Sequence, residues 1–120
     1  MKRLQMKPLH EPLNDGFLEY GRVTPVRNGV GKRTGEAFVS EGKLAFKELS
    51  AREEDYRMAG LKGASLDIKV KTLCPPKLKR ISKTQLTVMI DQIEYDVIEV
   101  DRDNQQRYLY YLQEVGVRDE

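Results

Sequence analysis

Between Thr84 and Val115 the apolar residues recur at every second position, in three runs separated by short polar stretches. Leu86, Val88 and Ile90 alternate with Gln85, Thr87 and Met89. Tyr95, Val97, Ile98 and Val100 follow the pair Asp91-Gln92, and Tyr108 to Leu112 follows the wholly polar stretch Asp101 to Gln106. A period of two is that of side chains along a strand, so each run can bury one face. Connections this short force neighbouring strands to run antiparallel. The chain is thereby committed to a small antiparallel sheet.

Two irregularities refine this reading. In the middle run Tyr95 and Val97 share one face, while Ile98 and Val100 share the other. A bulge near Val97-Ile98 shifts the alternation by one residue and would turn all four inward. In the last run both faces are apolar: Tyr108, Tyr110 and Leu112 on one, Leu109 and Tyr111 on the other. A strand with one solvated face does not look like this. The second face must therefore be covered, either by the rest of the chain or by another subunit.

Upstream, Met1 to Pro12 is basic and polar without a period, so residues 1–13 read as a flexible tail and carry no secretory signal pattern. Phe17 to Val23 reads as a first strand, entered through the turn signal Asn14-Asp15-Gly16. Arg27 to Gly35 reads as a Gly-rich basic loop. Its Asn28-Gly29 pair suits a tight hairpin turn, since both residues tolerate positive φ. Glu41 to Leu49 reads as a second strand. Ser50 and Glu53 fit a capping box at the start of a short helix, Ala51 to Ala59, which Gly60 would close in a left-handed conformation. Tyr56 is the expected anchor, because so short a helix must dock on the sheet. Ala64 to Thr72 reads as a strand with Leu66, Ile68 and Val70 inward and Asp67, Lys69 and Lys71 outward. Leu73 to Lys83 reads as a loop, since Cys74-Pro75-Pro76 cannot continue a ladder.

The expected fold is all-β: an antiparallel barrel of about five or six strands with one short helix between strands, in line with small β domains generally. The barrel domain spans residues 14–115 and a charged tail spans 116–120. A chain of 120 residues suits one domain able to bury a core without staples. The single Cys74 excludes an internal disulfide and fits a reducing compartment or an assembly that needs none.

Enzyme chemistry finds no scaffold. The one histidine, His10, lies in the tail between Pro8 and Pro12, away from any base or nucleophile partner. Cys74 has no cysteine or histidine near it in sequence, so no zinc site is expected. The segment Gly29 to Gly35 fits no dinucleotide fingerprint and no helix follows it. A Walker loop would need glycine where Val26 stands and Ser or Thr where Arg33 stands. No catalytic residue, metal or cofactor is expected.

Charge placement says more than the net charge of +2. Asp91 to Asp103 carries Asp91, Glu94, Asp96, Glu99, Asp101 and Asp103 against Arg102 alone. The loop with Arg27, Lys32 and Arg33 and the loop with Lys77, Lys79, Arg80 and Lys83 are basic with no acidic residue. One acidic region and two basic loops suit head-to-tail packing of like subunits, which gives rings when the rotation closes. A basic loop on the inner rim could also meet DNA phosphates without reading bases.

The order of elements resembles that of the head–tail joining proteins of tailed bacteriophages, also called head-closure or head–tail adaptor proteins. The resemblance covers roughly Phe17 to Val115. It rests on a strand ending in Lys47-Glu48-Leu49-Ser50 that feeds a short helix, on the strand with Leu66, Ile68 and Val70, on the hairpin Ile93-Glu94-Tyr95-Asp96-Val97-Ile98, and on a last strand Arg107 to Glu114. The long N-terminal tail and the lack of Trp depart from the commoner form and leave open the neighbouring tail-completion and minor capsid proteins. The resemblance implies a non-enzymatic virion protein at the head–tail connector, present in the host cytoplasm during assembly. It would form a ring, a dodecamer by inheritance from portal symmetry, between portal–adaptor and tail proteins. That ring would close the exit of the packaged DNA and offer the tail a docking surface. The near-balanced charge implies a monomer when free. An alternative from another class is a single-stranded nucleic-acid-binding barrel of OB type, in which Tyr108, Tyr110 and Tyr111 would stack bases.

Overall fold

In the computed structural model, which describes residues 12–82, 85–103 and 107–117, the chain runs through eight elements. They are β1 (Gly16–Arg27), β2 (Arg33–Leu49), α1 (Glu53–Leu61), β3 (Ile68–Leu73), α2 (Pro76–Lys79), β4 (Thr87–Ile90), β5 (Ile93–Arg102) and β6 (Arg107–Val117). The six strands close into an antiparallel barrel in the order β1-β2-β3-β6-β5-β4. The all-β barrel with a short helix between strands is thus observed, and the loop at Leu73 to Lys83 adds a second, one-turn helix.

The interior is filled from every strand. Leu18, Tyr20, Phe46, Val70, Val88, Ile90, Tyr95, Val100, Tyr110 and Leu112 form one buried cluster. β4 is only four residues long, so its pairing ends at Gly21 on β1 and at Asp96 on β5, and both strands run on past it. The connection from β3 to β4 folds into the opening. Pro75 and Pro76, which cannot donate to a ladder, start α2 instead, and Leu78, Ile81 and Leu86 plug the core.

The bulge foreseen in β5 is present: the register with β6 slips between Val97 and Glu99. Its consequence differs from the expectation. Tyr95, Val97 and Val100 face the interior, but Ile98, the extra residue, faces outward into a second cluster with Ala59, Leu66, Leu109 and Tyr111. That cluster lies under α1, so the rest of the chain covers the second apolar face of β6.

The helix sits two residues later than its sequence signals suggest. Its N-cap is Arg52, not Ser50, and the residue reaching back is Asp55, not Glu53: Asp55 Oδ2 accepts the Arg52 N–H at 2.9 Å. Gly60 is an interior residue of the helix. The left-handed residue is Gly63, φ 74°, where the Gly63 N–H donates to the Gly60 carbonyl and the Ala64 N–H to the Ala59 carbonyl. That pair of bonds is a Schellman motif. Tyr56 is exposed, and the helix docks instead through Asp55, Met58 and Ala59.

Lys69 points out of the barrel, as its alternation requires, yet α1 roofs it over. Its Nζ lies 3.0 Å from Asp55 Oδ2, with the two side chains 8% and 11% exposed, and 5.2 Å from the centre of the Tyr111 ring. Burial alone would raise the Asp55 carboxyl's pKa. The Arg52 N–H and the Lys69 ammonium outweigh that and hold it below the ordinary carboxylate value.

β1 and β2 outrun the barrel. β1 pairs with β4 only from Glu19 to Gly21, and β2 pairs with β3 only from Phe46 to Leu49, yet β1 and β2 stay paired out to Arg27 and Arg33. From Arg22 and Val39 to the tip they form a two-stranded ribbon. At about 3.3 Å per residue, it reaches roughly 15–20 Å past the barrel. At its base Glu41 is the extra residue of a bulge between Tyr20 and Gly21. Gly21 is required there, because a Cβ would sit 2.0 Å from the Val39 carbonyl oxygen.

Candidate functional site

Strand direction sorts the charged residues more sharply than their order in the chain. β1, β3 and β5 run toward the ribbon end of the barrel, and β2, β4 and β6 run away from it. β5 therefore carries Glu94 at one end and Asp101 at the other. The stretch Asp91 to Asp103, which looks like one acidic region in sequence, is divided between the two ends.

At the ribbon end Asp101 and Asp103 are already engaged. Asp101 Oδ2 accepts the Tyr111 hydroxyl at 3.2 Å. Asp103 pairs with Lys71 at 3.4 Å and accepts the Arg107 N–H at 2.9 Å. Glu99, midway, pairs with Lys62 at 3.1 Å. Burial, then the negative Asp101 and Asp55, push the Tyr111 hydroxyl up to about 12.

The same end gathers both basic segments. Lys77, Lys79 and Arg80 ride on the α2 plug, with Lys77 Nζ 3.5 Å from Glu41 Oε1 at the ribbon base; Arg22 Nη2 meets the other oxygen of Glu41 at 3.3 Å. Lys83 lies outside the described residues, as do 104–106 of the turn and most of both tails. Arg22, Val23 and Thr24 of the ribbon base face Gln85, Leu86, Thr87 and Asp96 across an open cleft.

The ribbon itself is exposed at every residue from Thr24 to Lys32. Its tip is not the tight Asn28-Gly29 turn. The Asn28 side chain accepts the N–H groups of Val30 and Lys32, both at 3.0 Å, and positive φ falls on Gly31. The Arg27 guanidinium donates to the Gly31 carbonyl. Arg27 and Lys32 thus stand at the far end of a projecting finger, and Arg33 pairs with Arg27 in the backbone register.

The opposite end is acidic. The Asp91-Gln92 turn joins β4 to β5 there, and Asp15, Glu48, Asp67, Glu94 and Glu114 come to it from the ends of other strands. Asp15 Oδ2 accepts the Glu48 N–H and Asp67 Oδ2 the Glu114 N–H, both at 2.7 Å. The Tyr95 ring closes the core beneath them. Burial, and then the charges of Glu114, Asp67, Glu48 and Asp91, push its hydroxyl pKa upward. Beside the turn lies a groove lined by Phe17, Glu19, Lys43, Met89, Asp91 and Gln92. Phe17 is 61% exposed in it, with the Lys43 ammonium 5.3 Å from its ring centre. Adjacent Asp91 and Gln92 both have positive φ, 51° and 69°, as a type I′ turn demands and as neither residue prefers.

Sequence reasoning missed this end because its carboxylates are scattered over five segments. It also overstated Tyr108, Tyr110 and Tyr111 as a stacking platform. Tyr110 is wholly interior, Tyr111 is buried under α1, and Tyr108 is half-buried. The OB-type single-strand reading loses its aromatic face. Cys74 is half-buried, its thiol against the Tyr108 hydroxyl. Among the described residues no group of three His, Cys, Asp or Glu is arranged to hold a metal ion.

No family model matches the sequence, and no curated protein matches it. Among solved structures it is similar to a chain of the "Virion of native gene transfer agent (GTA) particle", at 15% identity with a TM-score of 0.50. The likeness covers 89% of this chain and 100% of that one. At such identity it shows a shared fold.

Proposed function

We propose that this chain is a structural component of a phage-like virion, placed at the head–tail connector. One observation carries the reading: the fold extends over the whole of a chain found in a gene transfer agent virion. The resemblance of the element order to head–tail joining proteins supports the finer placement. In that role copies form a ring below the portal and its adaptor, close the DNA exit and present a surface to the tail. The ring would take the twelvefold symmetry of the portal, which pre-arranges the subunits and offsets part of their lost rigid-body freedom. Of the two basic segments at the ribbon end, the one not taken up by the subunit contact would line the channel and meet DNA phosphates, with contacts that weaken as salt rises.

The test is removal of the chain from the particle-forming system, followed by electron microscopy of the products and complementation. Filled or leaking heads separate from finished tails are the expected result. Tailed, DNA-retaining particles assembled without the chain would overturn the connector role. Its presence in purified particles away from the connector would favour a minor capsid or tail-completion role.

A further inference from the structure

The two ends of the barrel differ in sign and in shape, and they match each other. One end projects a finger whose tip carries Arg27 and Lys32, with Val26 and Val30 exposed beside them, Val30 at 86%. The other end carries Asp91 and Glu114 among its carboxylates and has a groove beside the turn, where Phe17 is exposed next to the Lys43 ammonium. We propose that copies of this chain bind head to tail, the ribbon tip of one lying in the acidic end of the next, with Arg27 and Lys32 against Asp91 and Glu114 and Val30 over Phe17. The proposal rests on the ring assembly above and names its contact.

The structure favours the ribbon over the α2 plug as the basic partner. Lys77 is engaged with Glu41 of its own chain, and the plug is tied into the core by Leu78, whereas the ribbon stands clear of the barrel. It favours the Asp91 end over Asp101 and Asp103, which share an end with the ribbon and are paired within the chain. It favours a protein occupant over nucleic acid. Exposed valines can bury apolar surface against protein and gain little against phosphates. Ends of opposite kind make a heterologous contact, which repeats from copy to copy until the rotation closes.

The test uses the full chain at low salt over a concentration series, with zero-length carbodiimide coupling of amines to carboxylates and mass spectrometry of the linked peptides. A link from Lys32 to Asp91 or Glu114 is expected. These positions lie at opposite ends of one copy, so the link forms only between copies. Arg27→Glu with Lys32→Glu should weaken association roughly tenfold, the change that two exposed ion pairs carry. Adding Asp91→Lys and Glu114→Lys to that variant should restore it. All four side chains are exposed, and an unchanged unfolding midpoint verifies the fold. Links confined to Lys77 and Lys79 would overturn this contact and leave a ring standing. A chain that stays monomeric throughout, and is not a ring in the particle, would overturn both. Duplex DNA binding that is lost on Lys32→Glu, with self-association unchanged, would overturn the contact in favour of DNA.

Discussion

Replacing Lys69 by methionine isolates the charge pair beneath α1. Methionine keeps the apolar stem against Tyr111 and removes only the ammonium, leaving the Asp55 carboxylate roofed over with one remaining strong donor, the Arg52 N–H. Breaking a buried pair from one side costs about 3–5 kcal/mol, and the slight exposure of both side chains puts this case near 3. Asp55→Asn on the same background should recover most of the loss, because the neutral amide still accepts from Arg52 and no charge is left alone. The double variant should fall within about 1 kcal/mol of the parent, so the coupling in a double-mutant cycle is roughly 2 kcal/mol plus the cost of Asp55→Asn alone, which leaves the Lys69 ammonium without its counter-charge. Urea unfolding of the four proteins measures it. Acid provides a second readout. The folded pKa of Asp55 lies below its ordinary value of 3.8, so the parent's stabilisation is full above that value and is lost as pH falls through the lower folded value. In Lys69→Met the desolvation that raises the carboxyl's pKa is no longer opposed by the ammonium, protonation comes earlier, and the deficit against the parent shrinks on acidification. A single variant within about 0.5 kcal/mol of the parent, the range of ordinary surface changes, would refute the reasoning. So would a double variant no more stable than Lys69→Met.

Gly21→Ala drives a Cβ into the Val39 carbonyl and should cost about 1–3 kcal/mol or shift the ribbon, seen as a lower unfolding midpoint with altered amide shifts from Arg22 to Ser40. Gly60→Ala, in the helix interior with open space around it, should stabilise by roughly 0.5–1 kcal/mol, while Gly63→Ala at φ 74° should destabilise by about 1 kcal/mol or more; thermal melts of the pair separate the two roles. Ser50→Ala should leave the midpoint within about 0.5 kcal/mol of the parent, since Arg52 is the N-cap. Gln92→Gly should raise stability by about 0.5–1 kcal/mol by relieving a left-handed glutamine, provided the turn holds its geometry.

Period-two alternation was enough to place the meander, because strands facing a filled barrel repeat apolar and polar residues along their length. It could also locate the slip at Val97-Ile98, though not the side to which Ile98 turns, which depends on α1 lying over that face. The helix caps were misread because Ser50 and Gly60 are good local signals, while the actual ends are fixed by tertiary contacts: Asp55 is held where Lys69 can reach it, and Gly63 where the chain turns toward β3. Charge was legible residue by residue but not in space. A strand as long as β5 carries neighbours in sequence to opposite ends of the barrel, and the acidic end is built from five segments that no window along the chain would join. The ribbon was half seen, as two shorter strands and a loop, because exposed strands carry no buried stripe.

Only three residue pairs, Glu19 to Gly21 against Thr87 to Met89, join the first strand to the fourth, fewer than at any other border of the barrel. They also bring together segments far apart in the chain, whereas most other neighbours meet through a hairpin. Closing this border comes at the greatest loop-entropy cost and gains the fewest hydrogen bonds. The protein should therefore behave as a zipped cylinder whose seam closes last and parts first. Amide protons of β4 would exchange ahead of those in β3 and β6. A pull between the ribbon and the opposite end would open the cylinder along that line into a curled sheet before any strand of the β3-β6-β5 wall let go.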